Sequence, residues 1–179
     1  NASTYIGENL YLRELSARLF DGASKVLDGK GQIISELYGL DLSVFPERPI
    51  SLAVHLPLNW SGDVLFIENE TTFVSLSEGK FAPAHACALV YSTGFKASAS
   101  RIRVDGRAFL TYTRKSFVED EVKRFEDWLI RAKGELDSYF WGDLDFAGGQ
   151  ILGALRLTFP GTLAWEPGYK NRDHRAAAG

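Results

Sequence analysis

Two short apolar runs that stop on acidic residues constrain this chain most. In Tyr139-Phe140-Trp141-Gly142-Asp143-Leu144-Asp145-Phe146-Ala147-Gly148-Gly149 the aromatic run reads as a buried strand. The two glycines then open a helical pattern through Ile151, Leu152 and Leu155. Asp63-Val64-Leu65-Phe66-Ile67-Glu68-Asn69-Glu70-Thr71-Thr72-Phe73 repeats the arrangement. Here a strand ends on acids and a short helix follows, capped by Thr71 or Thr72, carrying Phe73, Val74 and Leu76 and stopping near Gly79. Short buried strands alternating with helices predict an α/β fold with a mainly parallel sheet and helices on both faces. Parallel neighbours bring their carboxyl ends, and so these acids, to the edge where such sheets bind ligands.

The acids themselves suggest a chemistry. Asp143 and Asp145 face the same way if strand geometry persists, and two like charges held that close call for a cation. Oxygen donors without a neighbouring His or Cys cluster indicate magnesium or manganese rather than zinc. The competing reading is a solvated turn or a helix cap, both common roles for Asp. His55, His85 and His174 are scattered and form no ligand-spaced pair. A Ser/Cys–His nucleophile arrangement and a Walker-type phosphate loop are both missing.

Together the two segments resemble the TOPRIM domain of topoisomerases, primases and related nucleases, in which a Glu follows the first strand and an Asp-x-Asp the third. Glu68 fits that Glu better than Glu70, because it follows the strand directly and Phe73 lies where the next helix packs. Asp143 and Asp145 fit the Asp-x-Asp. More narrowly, 67–73 and 141–148 resemble the carboxy-terminal domain of the JetD family. Tyr11-Leu12-Arg13-Glu14-Leu15-Ser16 and Ser24-Lys25-Val26-Leu27 are similar to the helical lead-in of that domain. JetD proteins are the nuclease subunits of Wadjet anti-plasmid defence systems and are related to the A subunit of topoisomerase VI.

The resemblance implies that Glu68, Asp143 and Asp145 are catalytic and hold Mg2+ or Mn2+; Glu70 would then orient these ligands or bind a second ion. It also implies cleavage of double-stranded DNA by two such sites in a homodimer, served by an SMC-type complex in the bacterial cytoplasm. Two other functions stay open beside hydrolysis. A topoisomerase VI A-like transesterase would need a tyrosine nucleophile from a winged-helix domain, and Tyr5, Tyr11 and Tyr38 have no such domain around them. The other is a non-catalytic DNA-binding or scaffold module that keeps the fold.

At 179 residues the chain is long enough for one substantial core, and its 45% hydrophobic and 13% aromatic content argues against disorder. Neither a bilayer-spanning apolar run nor a signal-peptide pattern is present. Cys87, the single cysteine, lies in the apolar strand Ala86–Tyr91 and reads as a buried inert thiol suited to a reducing cytoplasm. The absence of methionine predicts a fragment of a longer protein, with Asn1-Ala2 as a cloning scar.

A net charge of −3 gives no hint of nucleic acid, but its distribution does. Between Lys96 and Lys115 six basic residues face one acid, Asp105. Arg101 to Phe109 reads as an inserted β-hairpin about an Asp105-Gly106 type I′ turn, with Arg101 and Arg103 sharing a face. Lys96, Arg101, Arg103 and Arg107 are then candidates for DNA phosphates, against the plainer role of keeping a sheet edge soluble.

The remaining pattern orders the chain. Residues 5–20 read as an amphipathic helix with Leu12, Leu15 and Leu19 on one stripe, followed by a helical piece at Gln32–Tyr38 and an irregular stretch with Pro46, Pro49 and Pro57. This divides the chain into a lead-in over 1–60 and a TOPRIM-like catalytic domain over 61–179. A helix from Ser116 to Ala132 buries Val118, Val122, Phe125, Leu129 and Ala132, with Ser116 and Glu119 as its capping box. Trp60, Trp128 and Trp141 read as core residues. A last strand at Thr162–Trp165 ends on Glu166, a further acid near the site or a surface charge.

Overall fold

The computed structural model describes residues 2–39, 41–92, 94–116, 118–143 and 145–170, without the side chains of residues 2, 3, 29, 38, 96 and 97. The chain forms two compact units, Asn1–Pro49 and Ile50–Gly179. The boundary therefore lies before residue 50 rather than at 60, because Ile50–His55 is a strand of the main sheet. Its alternation of buried Ile50, Leu52 and Val54 with more exposed neighbours is the period-two signature of a strand.

In the first unit, helices α1 (Leu12–Leu19) and α2 (Val26–Tyr38) pack around Leu15, Leu27 and Phe45. The expected stripe is only partly buried, since Leu15 is enclosed while Leu12 and Leu19 lie at the margin of that cluster. Arg13 and Asp28 join the helices through an ion pair at 2.6 Å. The helix expected at 32–38 begins earlier, at Val26, and runs through Gly31.

The second unit is α/β. Its strands are β1 (Ile50–His55), β2 (Val64–Ile67), β3 (Ala88–Tyr91), β4 (Ala108–Arg114), β5 (Ser138–Trp141) and β6 (Leu163–Ala164). They form one sheet in the order β4-β1-β3-β2-β5-β6, parallel throughout except between β1 and β3. The helices are α3 (Glu70–Ser77), the short α4 (Phe95–Ser98), α5 (Glu119–Arg131) and α6 (Phe146–Thr158).

All four residues of β2 are buried, and they alternate between two cores. Val64 and Phe66 face a cluster with Phe95, Val122, Phe125, Trp128, Leu129, Ile151, Leu155 and Phe159, from α4, α5 and α6. Leu65 and Ile67 face the other side, with Phe73 and Leu76 of α3 and with Leu89 and Trp165. Phe66 is central, its ring 4.9 Å from that of Phe159 and 5.7 Å from that of Phe95. Cutting Phe66 to Ala would cost about 3–5 kcal/mol.

This layering explains where the site lies. From β2 the chain crosses through α3 on one face to β3. It returns through α5 on the other face to β5, on the opposite side of β2. Because β3 and β5 flank β2 on opposite sides, the β2–β5 junction is the topological switch point of the parallel part of the sheet.

Several local expectations are corrected. The hairpin at 101–109 does not form. Residues 99–101 make a 3-10 turn, Ile102 is fully buried, and only Ala108 onward is strand, paired in parallel with β1. Asp105-Gly106 does turn the chain, with Gly106 at φ +68°, but burial of Ile102 outweighs this local preference. Helix α5 starts at Glu119, and Val118, in extended conformation, holds its cap position. Ser116 instead accepts the Val118 N–H and donates to Glu121. The buried stripe of α5 is Val122, Phe125, Trp128 and Leu129, while Val118 is exposed and Ala132 ends the helix in the left-handed region. Helix α3 is capped by Asn69, whose Oδ1 accepts the Thr72 N–H at 3.1 Å, rather than by a threonine. Trp60 and Trp128 are core residues, and Trp141 packs half-buried in the second cluster. No helix among the described residues is long and apolar enough to cross a membrane.

Candidate functional site

Strands β2 and β5 pair in parallel from Val64–Ser138 to Ile67–Trp141, so both end at the same level. The ladder continues one residue further, where the Glu68 N–H donates to the Trp141 carbonyl at 3.1 Å. The Glu68 carboxylate then turns across to β5, and its Oε2 accepts the Asp143 N–H at 3.1 Å. Glu68 and Asp143 are therefore neighbours at the carboxyl edge although 75 residues separate them.

Two glycines make this approach possible. A Cβ on Gly142 would lie 2.3 Å from Glu68 Oε2 and 2.4 Å from Phe140 Cζ, so only glycine lets the turn pass between them. A Cβ on Gly148 would lie 2.0 Å from the Asp143 carbonyl oxygen. That carbonyl therefore rests directly on the first turn of α6.

Asp145 does something different. Its backbone is extended and its Oδ1 accepts the Gly148 N–H at 2.8 Å, which makes it the cap of α6. The helix-cap reading of this residue is the one its geometry shows. A carboxylate there also meets the positive end of the helix dipole. Leu144, between the two aspartates, lies outside the described residues. Glu70 opens α3 and is exposed. Among the described residues, no three Asp, Glu, His or Cys side chains are grouped to enclose a metal ion. The edge thus offers Glu68 and Asp143 as a pair, with Asp145 engaged in capping.

A residue that sequence reading passed over joins the pair. Trp165 and the helical turn at 166–170 bring the chain back beneath β5. Gly168 lies flat on the Trp141 indole, where a Cβ would come within 2.5 Å of the ring. That contact sets the Tyr169 hydroxyl to accept the Gly142 N–H at 3.4 Å. Nothing local in the sequence signals this, because the bond spans 27 residues. Glu166 does not join the site; it is exposed, and pairing with Lys170 at 2.7 Å holds its carboxyl below the usual range.

The basic residues divide. Arg103 donates to the carbonyls of Trp128 at 2.8 Å and Thr158 at 2.6 Å, and stacks over the Phe159 ring at 4.3 Å. These carbonyls close α5 and α6, which lead into the starts of β5 and β6. Arg103 therefore sits at the edge opposite the acids, clamping two helix ends where a cation meets their negative dipoles. Burial lowers its pKa from the ordinary arginine value. The same edge holds a cavity of about 630 Å³ whose lining includes Asp63, Arg103, Arg124 and Asp137.

Arg107 lies elsewhere. Its carbonyl accepts the Ile50 N–H where β1 and β4 begin. Since β1 runs antiparallel to β3, those beginnings share the edge with Glu68 and Asp143. Three strand spacings put Arg107 at least roughly 14 Å to the side of β2. Arg101 ends the 3-10 turn, and the Lys96 side chain lies outside the described residues. Cys87 is buried, and desolvation, with Asp63 adding to it, pushes its thiol up to about 11, so it is no nucleophile at neutral pH.

The chain matches no protein-family model, no curated protein and no solved structure.

Proposed function

We propose that the carboxyl edge of β2 and β5 is the active centre of a divalent-metal-dependent DNA endonuclease. The observation that carries this reading is the bond between Glu68 Oε2 and the Asp143 N–H, which joins two acids from adjacent parallel strands at the switch point of the sheet. The TOPRIM character rests on that pairing together with the sequence resemblance. Double-strand cleavage by a homodimer, delivery by an SMC-type complex and a bacterial cytoplasmic setting rest on the resemblance to the JetD family.

The donor set fits magnesium or manganese. Such ions commonly take one or two protein carboxylates and fill the remaining positions with water and substrate phosphate. Glu68 and Asp143 would hold the ion, with Glu70 at the start of α3 and Asp145 at the start of α6 close in sequence. When bound, the ion supplies charge neutralisation on the phosphate and a more acidic water. Glu68 has one oxygen committed to the Asp143 amide, leaving Oε1 to hold the ion or to take a proton. Arg107, on the same edge, is placed to meet a backbone phosphate further along the duplex.

The capping bond of Asp145 favours one competing function, a DNA-binding module that keeps the fold without catalysis. The two are separated by assaying Mg2+- or Mn2+-dependent cleavage of duplex DNA by the full-length protein. Cleavage that is lost in folded Asp143→Ala and Glu68→Ala variants is the expected result. Undiminished cleavage by either variant puts the chemistry elsewhere, and DNA binding without cleavage supports the non-catalytic module.

A further inference from the structure

We infer that the Tyr169 hydroxyl is a substrate-contacting group of this edge, donating a hydrogen bond to a phosphoryl oxygen of the DNA; this rests on the proposed nuclease reading. The phenol oxygen accepts the Gly142 N–H at 3.4 Å, which uses a lone pair and leaves the O–H proton over. Among the described residues the hydroxyl makes no other hydrogen bond. Tyr169 itself is half-buried.

The placement is built rather than incidental. Gly168 must be a glycine for the chain to lie against Trp141, and the ring of Trp141 is itself packed 5.2 Å from Trp165 and 5.8 Å from Phe81. Trp141 is the last residue of β5, so the strand that leads through Gly142 into Asp143 also fixes the tyrosine. Gly142 forms a relay between them. Its N–H bonds Tyr169, and the next N–H along the chain, that of Asp143, bonds Glu68. The acids present only acceptors when ionised, and so repel a phosphate, whereas a neutral phenol is a donor that carries no charge into their field. A fixed donor aimed at developing phosphate charge acts mainly on the rate of the chemical step rather than on DNA affinity.

The test uses the full-length protein on duplex DNA with Mn2+, comparing the parent with Tyr169→Phe and with O-methyltyrosine incorporated at position 169. Phe loses both roles of the oxygen; O-methyltyrosine keeps the acceptor for Gly142 and loses only the proton. The expected result is a single-turnover rate about tenfold to hundredfold lower in both, with KM, Mn2+ affinity and melting temperature near those of the parent. Parent-like rates with O-methyltyrosine would overturn the inference and reduce Tyr169 to a support for Gly142. A covalent DNA adduct on Tyr169 would overturn it too, in favour of transesterification. Cleavage that is absent in the parent overturns the nuclease reading and this inference together, whereas cleavage lost with Asp143→Ala but unchanged with Tyr169→Phe overturns this inference alone.

Discussion

Glu68 Oε2 accepts the backbone N–H of Asp143 across two adjacent parallel strands, at 3.1 Å. The bond ties the Glu68 carboxylate to the chain that leaves β5. Gly142 is the residue that permits it. Gly142→Ala should displace Glu68 and press on Phe140, the ring beneath the turn. Overpacking of this kind costs about 1–3 kcal/mol. Urea unfolding should show that loss, and Mn2+ affinity should fall with it.

Glu68 and Asp145 should respond differently to truncation. Asp145→Ala removes the α6 cap and should lower stability by about 1 kcal/mol, with Asp145→Asn retaining most of it because Asn caps equally well. Glu68→Gln keeps an acceptor for the Asp143 amide and should unfold at close to the parent's urea midpoint. Equal losses in Asp145→Ala and Asp145→Asn would show that charge, not capping, sets the role of Asp145.

Arg103 and Arg107 should separate as structural and DNA-facing residues. Arg103→Ala breaks two bonds to carbonyls at helix ends and a stacking contact with Phe159, and should cost about 2–4 kcal/mol. Arg107→Gln should weaken DNA binding at every sequence. It should also reduce the salt slope of binding by about one unit. A salt slope unchanged by Arg107→Gln would remove that residue from the interface.

Alkaline pH provides a check on burial. Desolvation raises the folded-state pKa of Cys87 from its ordinary value near 9 to about 11. A raised pKa contributes stability that is complete below the unfolded value and declines as pH climbs toward the folded one. The stability of the parent relative to Cys87→Ala should therefore fall between about pH 9 and 11. Urea midpoints at pH 8 and pH 11 measure that difference, and a constant difference would mean that water reaches the thiol.

The sequence carried the parallel part of the sheet better than its margins. The runs at 64–67 and 139–141 are short, apolar and closed by acids, and they form β2 and β5 side by side. The strand at 50–55 has an equally clear period-two alternation, but Pro49 and Pro57 flank it and masked its order as an irregular stretch. The expected hairpin relied on Asp105-Gly106, and turn chemistry speaks only for four residues. It says nothing of Ile102 entering the core or of Arg103 reaching the carbonyls of residues 128 and 158.

The acid pair was legible because Glu68 directly follows β2 and Asp143 follows β5 after one glycine. The third acid was not separable from its cap role, since Asp-x-x-Gly at a helix start reads equally as a ligand or as an N-cap. Tyr169 was out of reach for a different reason. Its place depends on a glycine lying on a tryptophan ring 27 residues earlier in the chain, a contact that no periodicity encodes.

The most direct measurement is Mn2+ binding to this chain, followed by electron paramagnetic resonance in the parent, Glu68→Gln and Asp143→Asn. A metal centre at the end of β2 and β5 predicts a saturable site in the parent that is weakened at least tenfold in each variant, with all three proteins equally folded. Absence of a saturable Mn2+ site in the parent, or equal affinity in all three proteins, would contradict it.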